Sequence, residues 1–170
     1  RKNAEDRALE LERRKLDEAR NAALHFAERN NGNTDFFCEV QDQNGKILQL
    51  PEQDRKNLIA AQLLSEQGKK LLQADRVEEG LKLLHEAEAL FNLVSPALLK
   101  ITDNFGLLML DIVWAYLKLQ KVQHLQDAWE KLRTARVALE LAHGKNMERL
   151  ETIRGAASSV EKTLYVRLAL

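Results

Sequence analysis

From Arg1 to about Arg29, Leu9, Leu16 and Ala23 recur seven apart, as do Ala19 and Phe26, among charged residues of both signs. That spacing predicts one long helix over 1–29 with a narrow apolar stripe. Pairs four residues apart, such as Glu10 with Arg14, support an exposed helix by a few tenths of a kcal/mol each. Glu5 and Glu12 interrupt the second seam position, so the segment reads as a solvated helix touching the rest along one edge rather than as a coiled coil. Asn30-Asn31-Gly32-Asn33 then breaks the pattern, because Asn and Gly tolerate left-handed backbone and compete for main-chain hydrogen bonds. Two strand-like runs, Phe36 to Gln41 and Lys46 to Leu50, flank Asn44-Gly45, a tight-turn pair that predicts a β-hairpin over 36–50. Its apolar side, Cys38, Val40, Leu48 and Leu50, is expected to pack on a helix, since an isolated hairpin is marginal in water.

Beyond Pro51 every segment carries the helical period. Pro51 with Glu52 and Asp54 suits a first turn, where proline lacks only a donor that would be orphaned and acidic groups favour the positive dipole end. Leu58, Ile59, Ala61, Leu63, Leu64, Leu71 and Leu72 mark one helix, and Val77, Leu81, Leu84, Ala87, Leu90 and Phe91 the next. Their junction at Gln73 to Arg76 is so short that they must pack antiparallel. After an extended stretch around Ser95 to Phe105, a third helix runs through Leu107 to Leu117 and a fourth through Leu125, Ala128, Trp129, Leu132, Ala135 and Leu139, ending at Gly144. A last helix from about Met147 carries Leu150, Ile153, Ala157, Val160, Leu164 and Leu168. Gly68 followed by Gly80, Leu84, Ala87 and Phe91 resembles a tetratricopeptide repeat, in which small residues sit at helix crossings. Ala115 with Ala128, Leu132 and Ala135 resembles a second, degenerate copy, and the last helix the first half of a third. The fold class is thus mainly α, with antiparallel helical hairpins over 52–170, one small β-hairpin and a long N-terminal helix; a plain helical-hairpin bundle is the alternative.

Composition narrows the function classes. Lys+Arg 26 against Asp+Glu 26 leaves no formal net charge, which disfavours a basic nucleic-acid or membrane-surface reader. Hydrophobic residues at 45% suffice for a packed core, and Gly 7 with Pro 2 is too little turn chemistry for a protein of many strands. The single cysteine, Cys38, cannot form an internal disulfide and reads as a small buried apolar side chain. No apolar run reaches the roughly 18 residues of a membrane span. A reducing, soluble compartment is the expectation. The opening Arg1-Lys2-Asn3-Ala4 and the apolar closing run from Tyr165 to Leu170 read as the ends of a piece of a longer protein.

Catalytic chemistry finds no motif support. His85-Glu86 lacks the second histidine of a zinc-protease helix, and His25, His124 and His143 stand in separate elements, so no metal or cofactor is expected. Neither a glycine-rich phosphate loop nor a Gly-x-Ser-x-Gly turn occurs, and the chain reads as a non-enzyme. Asp111 within Leu110 to Trp114 is expected to be a buried carboxylate held by a salt bridge or helix-end hydrogen bond. Trp114 and Trp129 are expected in the core. If the repeats stack, the concave groove would be lined by Gln62, Ser65, Lys69, Tyr116 and Gln120. Lys69 stands where chaperone-tail binders of this class place an asparagine, which disfavours that form of docking, although another peptide could use the groove. Gly68, Gly80, Asp111, Trp114 and Ala128 form the structural signature.

The run Leu110-Asp111-Ile112-Val113-Trp114-Ala115-Tyr116, continued by Leu119, Leu125, Asp127-Ala128 and Lys131-Leu132, is similar to the central region of the Nedd-eight ultimate buster family. A hairpin and proline-led helix like Phe36 to Arg55, and a closing stretch with Gly155, Glu161-Lys162 and Leu164, extend the resemblance over roughly Phe36 to Leu170. It implies an adaptor that brings the ubiquitin-like modifier Nedd-eight, its conjugates and, in vertebrates, a related tandem modifier to the proteasome, in nucleus and cytoplasm. It implies modifier and proteasome subunits as partners, in part through a ubiquitin-like domain before this region and ubiquitin-associated domains after it. This chain shows neither domain, so the family's better-known binding residues map onto no position here. Either a positional scaffold or a module holding a client peptide in its groove fits these residues.

Overall fold

The computed structural model describes residues 3–29, 46–100 and 102–145, and among these it contains six α-helices and no strand. Helix α1 (Ala4–Arg29) opens on a reciprocal cap: the Asn3 side-chain oxygen accepts from the Glu5 amide at 2.7 Å, while the Asn3 amide donates to Asp6 Oδ2 at 3.3 Å. Helix α2 (Glu52–Gln73) follows Pro51, as the sequence predicts. It ends where Asp75 takes a left-handed φ of 61°; the Arg76 and Asp75 amides donate to the Leu71 and Leu72 carbonyls at 2.9 and 3.2 Å, closing a Schellman motif. The chain turns at once into α3 (Val77–Phe91).

Between Ser95 and Phe105 the expected extended stretch is replaced by a single helical turn, α4 (Pro96–Leu99), separate from α5 (Asn104–Leu119). Pro96 is preorganised to start a helix, and the Thr102 hydroxyl then donates to the Leu98 carbonyl at 3.3 Å, capping the turn instead of continuing it. Gln120 (φ 51°) ends α5, a 3₁₀ turn (Val122–His124) follows, and α6 (Leu125–His143) stops at Gly144 (φ 89°). Of the predicted hairpin, residues 36–45, including Cys38, lie outside the described residues; Lys46 to Leu50 form no strand. The expected last helix from Met147 also lies outside them.

The helices stack in chain order: α1 on α2, α2 on α3, α3 on α5, α5 on α6. A tight crossing occurs at two glycines, where a Cβ on Gly80 would lie 2.8 Å from the Gly68 carbonyl oxygen. Only residues without side chains let α2 and α3 come this close. Leu64, Leu84, Leu90, Phe91, Leu108, Met109 and Ile112 fill the core, with Phe91 and Phe105 ring centroids 5.8 Å apart. Helix α1 buries Ala23 and Ala27, half-buries Leu16 and Ala19, and leaves Leu9 and Phe26 exposed, so only part of its apolar stripe is used. Ion pairs Lys82 with Glu12, Arg20 with Glu86 (3.3 Å) and Lys56 with Glu28 (3.9 Å) flank that seam.

Candidate interaction sites on the helical stack

A closed polar ring joins three helices. On α3, His85 and Glu88 stand one turn apart; on α6, Asp127 and Lys131 do the same; α5 supplies Tyr116 between them. The Tyr116 hydroxyl donates to Asp127 Oδ2 at 2.5 Å and lies 3.2 Å from His85 Nε2. His85 Nδ1 is 3.4 Å from Glu88 Oε2, Lys131 donates to Glu88, and Lys131 lies 3.9 Å from Asp127, completing the circuit. His124 stacks on the Tyr116 ring with centroids 4.4 Å apart and planes within 5°.

The electrostatics follow from this closure. Burial pushes the Glu88 carboxyl up, but hydrogen bonds from His85 and Lys131 and the Lys131 charge outweigh it, leaving the group below the ordinary carboxylate range. Burial, with the Asp127 carboxylate beside it, drives the Tyr116 phenol well above its ordinary value, so it remains a neutral donor. A ring whose members bond one another between α3, α5 and α6 holds the two helical pairs at a set angle.

The residues expected to share one groove are divided. Gln62 and Lys69 both donate to Glu66 Oε1, each at 3.2 Å, along one side of α2. Ser65 is buried, Tyr116 belongs to the polar ring, and Gln120 is exposed at the left-handed end of α5. Lys118, which the sequence reading passed over, links α5 to the end of α2, donating to the Leu72 carbonyl at 3.1 Å and lying 3.4 Å from Asp75. His85, Glu88, Asp127 and Lys131 were missed as well. Their sequence signal was the i,i+3 and i,i+4 spacing of opposite or hydrogen-bonding partners on otherwise apolar helices.

Three further expectations change. Trp114 and Trp129 are not core residues: they are 42% and 62% exposed. Each sits on a helix flank that the described neighbours leave open. Asp111 is half-buried rather than buried, and it does have an interaction partner. Ala128 is buried, as are Gly68 and Gly80. His143 is buried at the end of α6, its Nε2 3.0 Å from Asp103 Oδ2, which ties the last turn of α6 to the start of α5. Among the described residues no cluster of three or more His, Cys, Asp or Glu side chains is placed to hold a metal ion, and no helix is long and apolar enough to cross a membrane.

Stacked helices with glycine crossings and interhelical polar clamps define a mainly α-helical protein of consecutive packed helices. No family model matches the chain, and no solved structure matches it. Human NEDD8 ultimate buster 1 is 33% identical over 134 residues, covering 79% of this chain and 22% of that protein; the Mus musculus protein is 34% identical over the same extent. This segment belongs to the NEDD8 ultimate buster family. The chain spans about a fifth of the length of these curated relatives.

Proposed function

We propose that this chain is the helical scaffold of an adaptor that lowers the level of the ubiquitin-like modifier NEDD8 and its conjugates by delivering them to the proteasome, in nucleus and cytoplasm. The observation that carries the reading is the 33–34% identity, over four-fifths of the chain, to proteins named for that modifier. The role is positional and non-enzymatic. A 26-residue helix spans about 39 Å, and the stack behind it, read as degenerate tetratricopeptide-like hairpins, holds its ends at a fixed separation. Modules attached to such a stack meet their ligands at a raised effective concentration, because the spacing is set by packed helices and not by a flexible chain. Proteasome subunits and the modifier are the partners of this reading.

The test is a titration of isotopically labelled NEDD8 with the fragment, watched by NMR, with ubiquitin in parallel. Selective shifts for NEDD8 make this region a recognition module in its own right. No shift for either, with the fragment cooperatively folded, assigns recognition to other parts of the adaptor and leaves this region the spacer. In cells, exchanging the segment for a flexible linker of equal reach should slow loss of the modifier; unchanged loss would sink the scaffold reading.

A further inference from the structure

A cavity of about 490 Å³ opens between α4 and α6, away from the polar ring. Its floor is apolar: Pro96, Leu99, Phe105, Val137, Ala138 and Leu141. The Thr134 hydroxyl in its wall is already spent on the Glu130 carbonyl at 2.9 Å, so the floor offers no free donor to a polar guest. Val137 and Leu141 are 57% and 46% exposed, an arrangement that leaves apolar area in water without gain to the fold.

The rim adds charge. Elsewhere on the stack, Lys82, Lys118, Lys121 and Lys131 each reach a carboxylate on another element. Lys100 and Arg133, exposed on opposite edges of the cavity, have no such partner among the described residues, and the rim holds one carboxylate, Glu130. Two cations against one anion leave a positive rim on a chain with no formal net charge. The size lies within the roughly 300–1,000 Å³ of small binding pockets, enough for two or three apolar side chains.

We infer that this cavity is a docking site for a protein segment carrying apolar anchor residues flanked by Asp or Glu, the anchors seated on Leu99, Phe105, Val137 and Leu141 and the carboxylates meeting Lys100 and Arg133. The site is distinct from the α2 and α5 positions considered for a concave groove, and it stands independently of the NEDD8 reading. Apolar burial supplies the affinity, and the two rim cations select acidic over basic flanks.

The experiment is panning of a random twelve-residue phage library on the whole 170-residue chain, followed by fluorescence anisotropy of the recovered consensus as a synthetic peptide. The expected consensus joins two or more apolar residues to Asp or Glu. Val137→Glu should weaken the peptide at least tenfold, and Lys100→Glu with Arg133→Glu about tenfold, all with an unchanged melting temperature because the three side chains are exposed. A peptide with its acids changed to Lys should recover affinity on the charge-reversed variant. No enrichment, a basic or purely polar consensus, or binding indifferent to Val137→Glu would overturn the inference. So would sedimentation showing a dimer that Val137→Glu converts to monomer, which makes the occupant a second copy. In the unliganded chain, Val137 and Leu141 methyl groups shielded from a soluble paramagnet would overturn it too, since the cavity would then be filled from within.

Discussion

Replacing Gly80 by alanine tests the central crossing of the stack. A Cβ there would lie 2.8 Å from the Gly68 carbonyl oxygen, 3.0 Å from Leu72 Cδ2 and 3.2 Å from Leu71 Cβ. The nearest obstacle is backbone of α2, which no rotamer change can move, so the two helices must separate by several tenths of an ångström. Overpacking of this kind costs about 1–3 kcal/mol. Against it stands the better helix propensity of alanine, about 1 kcal/mol. The difference predicts a net loss of about 1 kcal/mol for Gly80→Ala, or about 2–4 °C in Tm for a chain of this size. Gly80→Val, with poorer propensity and a larger side chain, should lose about 2–3 kcal/mol. Gly68→Ala meets Leu84 Cδ2 at 2.7 Å and the Gly80 carbonyl oxygen at 3.1 Å, at the same crossing. One separation relieves both clashes, so the double variant should cost less than the sum of the singles. Urea unfolding followed by circular dichroism, with the slope checked for constancy, reads these values. A gain of about 1 kcal/mol for Gly80→Ala, the propensity contribution alone, would refute the close approach.

Tyr116→Phe removes the donor to Asp127 and the contact with His85, and should cost about 1–2 kcal/mol in urea unfolding, with Asp127 softening the loss because it is partly exposed. Glu88 titrates below its unfolded value of about 4.3, so its contribution is complete above that pH and is lost as pH falls through the folded value. Glu88→Gln should therefore lower stability at neutral pH and flatten the acid limb below the ordinary carboxylate value of about 4.3, read from urea midpoints across pH; an unchanged acid limb would dismiss the ring as a source of acid sensitivity. Trp129→Ser, at a side chain 62% exposed, should shift stability by about 0.5 kcal/mol or less, and Trp114→Ser, with more than half of its surface covered, by about 1–2 kcal/mol, where a core tryptophan would cost about 3–5 kcal/mol. Thermal melts of the two variants separate these outcomes.

The helices were legible because each is written locally. Residues 58–72 and 77–91 place their apolar side chains at intervals of three and four, and Pro51, Ala74 to Arg76 and Gly144 punctuate them with recognisable start and stop chemistry. Even the glycine crossing could be read, since Gly68 and Gly80 are twelve apart on two helices joined by a short turn. The single turn α4 was not legible: it depends on Thr102 bonding back to Leu98, and the start of α5 is tied by Asp103 to His143, forty residues away. The polar ring was illegible for the same reason. His85 and Glu88 look like surface residues of α3 until Tyr116, Asp127 and Lys131 arrive from elements 28 to 46 residues later in the chain.

By itself the sequence determined which segments are helical, where most of them stop, and that small residues would let two of them touch, because backbone preference and hydrophobic period act within a few turns of one chain segment. Tertiary structure alone decided which flank of each helix is covered. Trp114 and Trp129 keep the spacing of core residues yet are exposed, Tyr116 joined a half-buried polar ring across three helices, and Lys100 and Arg133 came to border one apolar cavity. Burial is a property of the neighbours an element acquires, and those neighbours are chosen by packing across the whole stack.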